Sequence, residues 1–248
     1  MCMSAITLKS NFMTRSAAED DAVERPGNRL SWRAWRLKTM VLESLRTVVR
    51  AGALLALAAG LAACSERPPR LAPLAADAVI VAFGDSITYG SGANSIESYP
   101  AVLAGLAGRT AINAGVPGEL SADGLKRLPA VLDEHRPHLL ILCHGGNDLL
   151  RKLDEETLAS NLEAMVRLAE ERGAAVVLIG VPKLGFGLAV PDLYKRLANA
   201  RKLPYEGKIV ATIEGDRALK SDPIHPNAAG YRLLAQRIHA LLKETGAL

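Results

Sequence analysis

Short apolar runs alternate with longer amphipathic stretches along the chain from residue 78 onward. The apolar runs are continuous and rich in Val, Ile and Leu, which is typical of parallel strands buried on both faces. They are Ala78–Phe83, Thr110–Ala114, Leu139–His144 and Ala175–Gly180. Strand–helix alternation of this kind predicts an α/β fold in which a central parallel sheet lies between helices.

The amphipathic stretches predict helices over residues 97–108, 121–135, 154–173 and 227–244. Acidic residues open the third stretch and Gly173 ends it, as expected of a helix with those boundaries. Its apolar positions recur at helical spacing: Leu158, Leu162, Met165 and Leu168. A single apolar stripe marks the last stretch: Tyr231, Leu234, Ile238 and Leu241. Residues 183–204 form the least regular segment.

The N-terminal part has a different pattern. The run from Ala51 to Ala63 contains only Ala, Leu and Gly and follows Arg46 and Arg50. A membrane-spanning helix needs about 20 apolar residues, so this run is too short, but it matches the apolar core of a signal peptide. The segment Leu-Ala-Ala-Cys ending at Cys64 resembles the lipobox of bacterial lipoproteins, which implies acylation of Cys64. The alternative is a buried Ala-rich helix with a chance cysteine.

These patterns divide the chain into four predicted parts. Residues 1–39 are polar and fit poorly ahead of a signal peptide, so we interpret them as a non-native extension, or alternatively as a disordered cytoplasmic one. Residues 40–63 form the lipoprotein signal peptide, 64–77 a flexible tether, and 78–248 the folded domain. A lipid on Cys64 would anchor the protein in the cell envelope, with the periplasmic face of the outer membrane as the expected location.

The charge distribution argues against nucleic-acid binding. The net charge is +4, but nine Lys and Arg and five Asp and Glu precede Cys64, which leaves 21 of each sign after it. No basic stripe remains in the folded domain to neutralise phosphates. We therefore expect no nucleic-acid partner, and we expect a monomer.

Polar residues with chemical potential follow the predicted strands. Ser86 follows the first strand, Gly115 the second and Asn147 the third, while Asp222 and His225 lie in the segment SDPIHPN before the last helix. In open parallel sheets, reactive groups gather beyond the carboxyl ends of the strands. We expect these residues to meet at one edge of the sheet.

The segment SDPIHPN suggests a histidine base. Two prolines stiffen the loop, and a carboxylate three residues before an imidazole can accept the Nδ1 proton and leave Nε2 free. The alternative, equally open on this segment alone, is an Asp and a His that cap a turn. Backbone N–H groups of Ser86 and Gly115 and the amide of Asn147 could converge on one oxyanion. Individually, Gly115 and Asn147 are also ordinary turn residues.

The segments FGDSIT, INAGVPGE, GGNDLL and SDPIHPNAAGY resemble the successive sequence blocks of the GDSL, or SGNH, hydrolases. The resemblance covers residue 78 to the C-terminus. It implies a flavodoxin-like three-layer sandwich and the hydrolysis of esters or thioesters without metal or cofactor. It further implies that Ser86 is the nucleophile, His225 the base and then the acid, Asp222 its orienting partner, and Ser86, Gly115 and Asn147 the oxyanion hole.

One position departs from this family pattern. His144 stands where the family often has an apolar residue, and it either finds partners at the strand end or lines the substrate pocket. Asp85 is expected to stabilise the turn before Ser86 through backbone hydrogen bonds. Three further histidines are expected to take no part: His135, His138 and His239.

The substrate is less constrained than the chemistry. Apolar residues after the fourth strand could line an acyl groove, or could belong to an exposed loop: Leu184, Phe186, Leu188 and Val190. We expect a small-molecule ester or lipid substrate, such as an acyl or aryl ester or a lysophospholipid. The alternatives are the O-acetyl groups of an envelope carbohydrate, or a binding lipoprotein without catalytic activity.

Overall fold

The computed structural model describes residues 68–185 and 187–248, together with three helical positions, Met40, Glu43 and Val49. The chain divides into two compact units, Met1–Ser65 and Glu66–Leu248, and the architecture below is that of the second. The predicted extension and signal peptide, apart from those three positions, and the predicted lipidation site Cys64 lie outside the described residues. Among the residues that are described, no helix is long and apolar enough to cross a membrane.

Parallel strands form one five-stranded sheet in the described part of the chain, in the order β2-β1-β3-β4-β5. The strands are β1 Val79–Gly84, β2 Thr110–Gly115, β3 Leu139–Cys143, β4 Ala175–Ile179 and β5 Tyr205–Glu206. The chain runs from β1 outward to β2 and then returns to the other side of β1 with β3. The direction in which successive strands are added therefore reverses between β1 and β3. In open α/β sheets, the binding crevice lies at the point of this reversal.

Helices cover the sheet on both sides. They are α1 Ser86–Tyr89, α2 Tyr99–Ala107, α3 Ser121–His135, α4 Gly146–Leu150, α5 Glu155–Glu171, α6 Asp192–Arg201, α7 Ile209–Gly215 and α8 Ala228–Thr245, with short 3₁₀ turns at Ser95–Glu97 and Arg217–Leu219. Helix α2 packs with α8, and α3 packs with α5, which in turn contacts α6. The predicted three-layer α/β fold is confirmed.

The core lies where the sequence pattern placed it. The strands β1 and β3 are almost entirely buried, and the apolar stripes of α5 and α8 belong to the same core. Burying a large apolar side chain contributes about 1.5–3 kcal/mol, so the two central strands supply much of the stability. The predicted strand and helix boundaries differ from the observed ones by only a few residues at each end.

The prediction did not include β5, the helices α1, α4, α6 and α7, or the two 3₁₀ turns. Strand β5 has only two residues, which is too short to show a periodic pattern. Helix α6 lies inside residues 183–204, the segment that we interpreted as irregular. The Gly- and Pro-containing residues before it have no helical pattern, so its apolar face was not recognised. That face consists of Leu193, Tyr194, Leu197 and Ala198.

The predicted flexible tether needs correction over its described residues. Leu71 donates a backbone hydrogen bond to Thr245 at 3.0 Å, and Leu74 donates one to Ala247 at 2.9 Å. Both leucine side chains pack against the core. The folded domain therefore begins before residue 78, because two apolar side chains in the proposed tether have a surface to bury against.

Buried tyrosines connect the helical layers to the loops that follow the strands. Tyr194 donates a hydrogen bond to the carbonyl of His144 at 2.9 Å, and Tyr231 donates one to the carbonyl of Ser91 at 2.8 Å. Both rings are fully buried. Because a buried hydroxyl strongly favours a partner, these bonds fix the loops at the carboxyl edge of the sheet.

Candidate active site

Ser86 is the first residue of α1 and lies just beyond the end of β1. At Gly84 an added Cβ would lie 1.9 Å from the carbonyl oxygen of Cys143, so only glycine permits β1 and β3 to approach this closely. The backbone N–H groups in the first turn of a helix have no partner inside that helix. Ser86 therefore presents both a hydroxyl and a backbone N–H at the edge of the sheet.

Asp85 holds the turn that carries Ser86. Its buried carboxylate accepts hydrogen bonds from the backbone N–H of Ile87 at 3.2 Å and of Gly146 at 3.1 Å. Burial raises the pKa of Asp85. The predicted turn-stabilising role is confirmed, and the carboxylate also ties α1 to the start of α4, where Asn147 lies.

His225 reaches Ser86 from the loop before α8. Its Nε2 lies 3.1 Å from Ser86 Oγ, and its Nδ1 lies 2.7 Å from Asp222 Oδ2. The other carboxylate oxygen of Asp222 accepts the backbone N–H groups of Ile224 and His225, each at 2.8 Å. Asp222 therefore caps the turn and orients the imidazole at once, so the two interpretations of this segment are compatible.

The electrostatics keep Asp222 ionised. Partial burial raises its pKa, but the hydrogen bonds from His225 and from the N–H of Ile224 outweigh this effect and lower the pKa below its usual value. An ionised carboxylate accepts the Nδ1 proton and leaves Nε2 as the acceptor that faces the hydroxyl. Asn227 caps α8 through the N–H groups of Ala229 and Gly230, which anchors the end of this loop.

Asn147 lies on α4 beside Ser86. Its Nδ2 donates one hydrogen bond to the carbonyl of Glu119 at 3.0 Å, which leaves its second N–H available. Ser86, Asn147 and His225 line one cavity, whose remaining wall is largely apolar. The structure thus brings together the predicted nucleophile, the predicted base and one predicted oxyanion donor.

Gly115 lies close by but is differently engaged. Its N–H donates to Oδ1 of Asn113 at 3.0 Å, and a Cβ added to it would lie 2.1 Å from the backbone nitrogen of Tyr89. Glycine is needed here because α1 packs directly on the end of β2. The residue does not line the cavity that contains Ser86.

Comparison with known proteins agrees with this arrangement. A family model described as "GDSL-like Lipase/Acylhydrolase family" matches residues 82–233. The chain belongs to this family. The prediction of a GDSL-type carboxylic ester hydrolase is thereby confirmed at the level of enzyme class.

Two curated members of the GDSL family illustrate the relationship. Esterase TesA of Pseudomonas aeruginosa is 32% identical over 183 residues, covering 68% of this chain and 90% of TesA. Thioesterase 1/protease 1/lysophospholipase L1 of Escherichia coli K12 is 27% identical over 169 residues, covering 65% of this chain and 81% of that protein. Among solved structures, the psychrotrophic esterase EstA from Pseudoalteromonas sp. matches with a TM-score of 0.61 at 23% identity, over 68% of this chain and 98% of EstA. That likeness supports the fold.

His144 does not line the cavity, which corrects one of the two roles we considered. Its side chain is fully buried, its Nε2 lies 3.1 Å from Glu119 Oε2, and its Nδ1 accepts the N–H of Gly145 at 2.8 Å. Asp148, the acid nearest to His144 in the sequence, accepts hydrogen bonds from the backbone N–H and the hydroxyl of Ser121 instead. The partner of His144 is Glu119, in the loop after β2. Because the two residues are 25 positions apart, the local sequence around His144 does not reveal the pair.

Glu119, the partner of His144, also contacts Arg127 and Asn147. Arg127 donates to both of its oxygens at 2.8 Å and stacks on Phe83, with the guanidinium 4.2 Å from the ring centroid. Burial raises the pKa of Glu119, but the hydrogen bonds from Arg127 and His144 lower it to about 2. The same residue supplies the carbonyl that orients the amide of Asn147.

The predicted acyl groove is divided by the structure. Leu184 lines the cavity at Ser86, whereas Leu188 and Val190 line a separate surface groove with Lys208. Phe186 lies outside the described residues. The backbone has positive φ at Gly185, Gly187 and Leu188, so side chains two residues apart do not share a face as they would in a strand.

Several residues at the cavity were not predicted. Besides the predicted Leu184, the apolar wall consists of Ile87, Leu150, Val181, Pro182 and Ile224. Glu214 completes the lining, and its sequence signal is an acidic residue one turn after Val210 on the apolar face of α7. Within the described residues, no cluster of three or more His, Cys, Asp or Glu side chains could hold a metal ion. Cys143 is free and buried in β3.

Proposed function

We propose that this protein hydrolyses carboxylic esters through an acyl-enzyme formed on Ser86. The observation that carries the proposal is the hydrogen-bonded line from Ser86 Oγ through His225 to Asp222, with distances of 3.1 and 2.7 Å. A nucleophile, a base and a carboxylate that orients the base are the components of a nucleophilic triad. Membership of the acylhydrolase family supports the same assignment.

In the first half of the cycle, Ser86 Oγ attacks the ester carbonyl while its proton moves to Nε2 of His225. The carbonyl carbon becomes tetrahedral and its oxygen acquires the negative charge. Collapse of this intermediate breaks the bond to the leaving oxygen or sulfur, which takes the proton from His225. The ester thus becomes an acyl group on Ser86 and a free alcohol or thiol.

In the second half, water replaces the alcohol. His225 accepts a proton from the water as its oxygen attacks the acyl carbonyl, and it returns that proton to Ser86 as the acid departs. Asp222 stays ionised throughout and stabilises the imidazolium that forms in both halves. The net reaction consumes one water and needs no oxidant or metal.

The oxyanion needs donors that are already in place. The backbone N–H of Ser86 and the second N–H of Asn147 flank the nucleophile at the cavity. The N–H of Gly115 joins them when the oxyanion replaces Oδ1 of Asn113 as its acceptor. Preorganised donors of this kind contribute about 10²- to 10³-fold each in rate.

The cavity favours an acyl group with an apolar chain. Leu150, Val181 and Leu184 form part of its wall, and a buried methylene gains about 0.8 kcal/mol on leaving water. The preferred substrates are acyl or aryl esters and lysophospholipids, in line with the names of the curated relatives. Acetylated carbohydrate is the second candidate, because the cavity at Ser86 is small and a short acyl group needs the least space beside the nucleophile.

The test is hydrolysis by wild type and by Ser86→Ala. Aryl esters of increasing acyl length, a lysophospholipid and an acetylated sugar form the substrate panel, and a fluorescent organophosphonate reports the activated serine. We expect Ser86→Ala to lose hydrolysis and labelling together while remaining folded. Unchanged hydrolysis by this variant would refute the proposal, and a wild type that neither labels nor hydrolyses would favour the binding lipoprotein.

We also propose that a lipid on Cys64 anchors the enzyme in the cell envelope, at the periplasmic face of the outer membrane. The support is the apolar run from Ala51 to Ala63 and the lipobox-like segment at its end. Incorporation of a labelled fatty acid into the wild type, but not into Cys64→Ala, would be the expected result. Equal incorporation, or none in either protein, would contradict it.

A further inference from the structure

Glu214 occupies a position that the helical pattern reserves for an apolar side chain. Helix α7 turns Ile209, Val210 and Ile213 inward, and Glu214 lies on the same face, one turn after Val210. Only 5% of Glu214 is exposed. Acidic side chains are rarely buried to this extent without a partner.

Glu214 has no such partner in the described part of the chain. Its Oε2 is fully buried and accepts or donates no hydrogen bond. Glu206, equally buried nearby, shows the usual solution, since it accepts the N–H groups of Lys208 and Ile209 and pairs with Arg237. A buried polar group left unsatisfied destabilises the fold, so its retention points to a role outside folding.

The unsatisfied carboxyl belongs to the cavity that contains Ser86, Asn147 and His225. Burial raises the pKa of Glu214 to about 8, with the charge of Asp85 acting in the same direction and that of Lys220 against it. At neutral pH the side chain is therefore a neutral carboxyl group. Such a group offers one O–H donor and one carbonyl acceptor.

We propose that Glu214 is a specificity-determining residue that hydrogen-bonds a hydroxyl group of the substrate beside the scissile ester, so that the enzyme prefers hydroxyl-bearing esters to their deoxy analogues. The inference rests on the proposed function of the same site. It names a substrate class, because a free hydroxyl next to the ester is shared by monoacylglycerol-type lipids and by partly acetylated sugars.

The physical argument is one of unsatisfied groups. When a hydroxyl-bearing substrate binds, the carboxyl gains the partner that the protein does not provide, whereas a deoxy analogue leaves it unpaired in a largely apolar cavity. Sites built to bind a hydroxyl reject analogues that lack it far better than apolar pockets select between chain lengths. A substrate cation fits less well, since the carboxyl is neutral and the surrounding wall is mainly apolar.

Two matched substrate pairs test the proposal and locate the hydroxyl. Glycerol 1-monobutyrate and propyl butyrate differ in a hydroxyl-bearing alcohol, while methyl 3-hydroxybutyrate and methyl butyrate differ in a hydroxyl on the acyl group. We expect wild-type kcat/KM to favour the hydroxylated member of one pair by about tenfold or more. The pair that shows the preference identifies the side of the ester that faces Glu214.

Two substitutions separate hydrogen bonding from shape. Glu214→Gln keeps a neutral donor and acceptor and is expected to retain most of the preference. Glu214→Met keeps the length but removes both oxygens, and the preference should fall to nearly one while the deoxy esters are hydrolysed at least as fast. A wild type without preference in either pair, or a preference that survives in Glu214→Met, would overturn the inference.

Thermal unfolding distinguishes this role from a structural one. Because the unfolded chain ionises Glu214 from about pH 4.5 and the folded protein only near pH 8, the group destabilises the fold increasingly over that interval. Glu214→Met should raise Tm by a few degrees at pH 8 and by less at pH 4.5. A lower Tm at both pH values would mark Glu214 as structural.

The control is Glu206→Gln, which disrupts a satisfied buried carboxylate on β5. It should lower Tm and leave the substrate preference unchanged. Failure of the two proposals can be told apart with Ser86→Ala. Hydrolysis that persists in Ser86→Ala removes the proposed function, whereas hydrolysis that depends on Ser86 but ignores the hydroxyl removes only the role of Glu214. A preference for a choline ester over its uncharged 3,3-dimethylbutyl analogue would show that Glu214 binds a substrate cation, and it would overturn the proposed hydroxyl.

Discussion

Two histidine–carboxylate pairs lie at the carboxyl edge of the same sheet, and their surroundings give them opposite chemistry. His225 pairs with Asp222 at 2.7 Å, and the two side chains are 19% and 43% exposed. His144 pairs with Glu119 at 3.1 Å, and these side chains are 0% and 7% exposed. The residue types and the hydrogen bonds are alike, so the difference must come from what else each imidazole contacts.

The two histidines differ in what the ring nitrogen that does not contact the carboxylate faces. In His225 it faces the hydroxyl of Ser86 across the cavity. In His144 it accepts the N–H of Gly145, so both nitrogens are engaged inside the fold. A histidine can take up a substrate proton only through a nitrogen that the fold leaves free. A neighbouring carboxylate is therefore not enough to identify a catalytic base.

The two carboxylates also differ in the groups that donate hydrogen bonds to them. Asp222 is held by backbone N–H groups of a stiff loop, whereas Glu119 is held by the guanidinium of Arg127. Arg127, Glu119 and His144 form a largely buried network, and the backbone carbonyl of Glu119 connects it to the cavity by orienting Asn147. We interpret this network as a support for the oxyanion donor.

Replacing each histidine by Gln should break the comparison most clearly. His225→Gln removes the base, and kcat/KM for an aryl ester should fall by about 10⁴-fold or more. His144→Gln leaves the base in place and should cost less than about tenfold. Steady-state kinetics of the two folded variants measure the difference. Comparable losses in both would show that His144 acts in the chemistry.

Asn147→Ala should have an intermediate effect. Loss of one oxyanion donor lowers kcat by about 10²- to 10³-fold and leaves KM nearly unchanged, because the bond strengthens only in the transition state. Asn199→Ala is the control, because Asn199 is exposed on α6 and does not line the cavity, and it should leave both constants unchanged. A raised KM with an unchanged kcat in Asn147→Ala would instead indicate a role in ground-state binding.

The smallest effect on activity should come from Glu119→Gln, which keeps the backbone carbonyl that orients Asn147 and mainly changes stability. The pKa of Glu119 is about 2 when folded and 4.5 ordinarily, so its ionised form contributes at most about 3 kcal/mol to folding above pH 4.5. That contribution is lost as the pH falls from 4.5 toward 2. Urea unfolding at pH 7 and pH 3 should show a smaller pH dependence in Glu119→Gln than in wild type, and identical dependence would contradict the pKa assignment.

The sequence predicted the fold because the central strands are buried on both faces and carry a strong local signal. Ser86, Asn147 and the pair of Asp222 and His225 could be identified because strand ends and short spacings are visible along the chain. Helix α7 could not, since a seven-residue helix shows fewer than two full periods of its pattern. Glu214 was missed with it.

By itself, the sequence determined the alternating α/β order, the edge on which polar residues gather, and the carboxylate that orients His225. These depend on periodicity and on contacts between residues close in the chain. The tertiary structure alone decided that His144 pairs with Glu119, that Gly115 packs on α1, and that an unpaired carboxyl lines the same cavity as the nucleophile. Each of these depends on which distant segments fold together, and hence on burial, which no local pattern specifies.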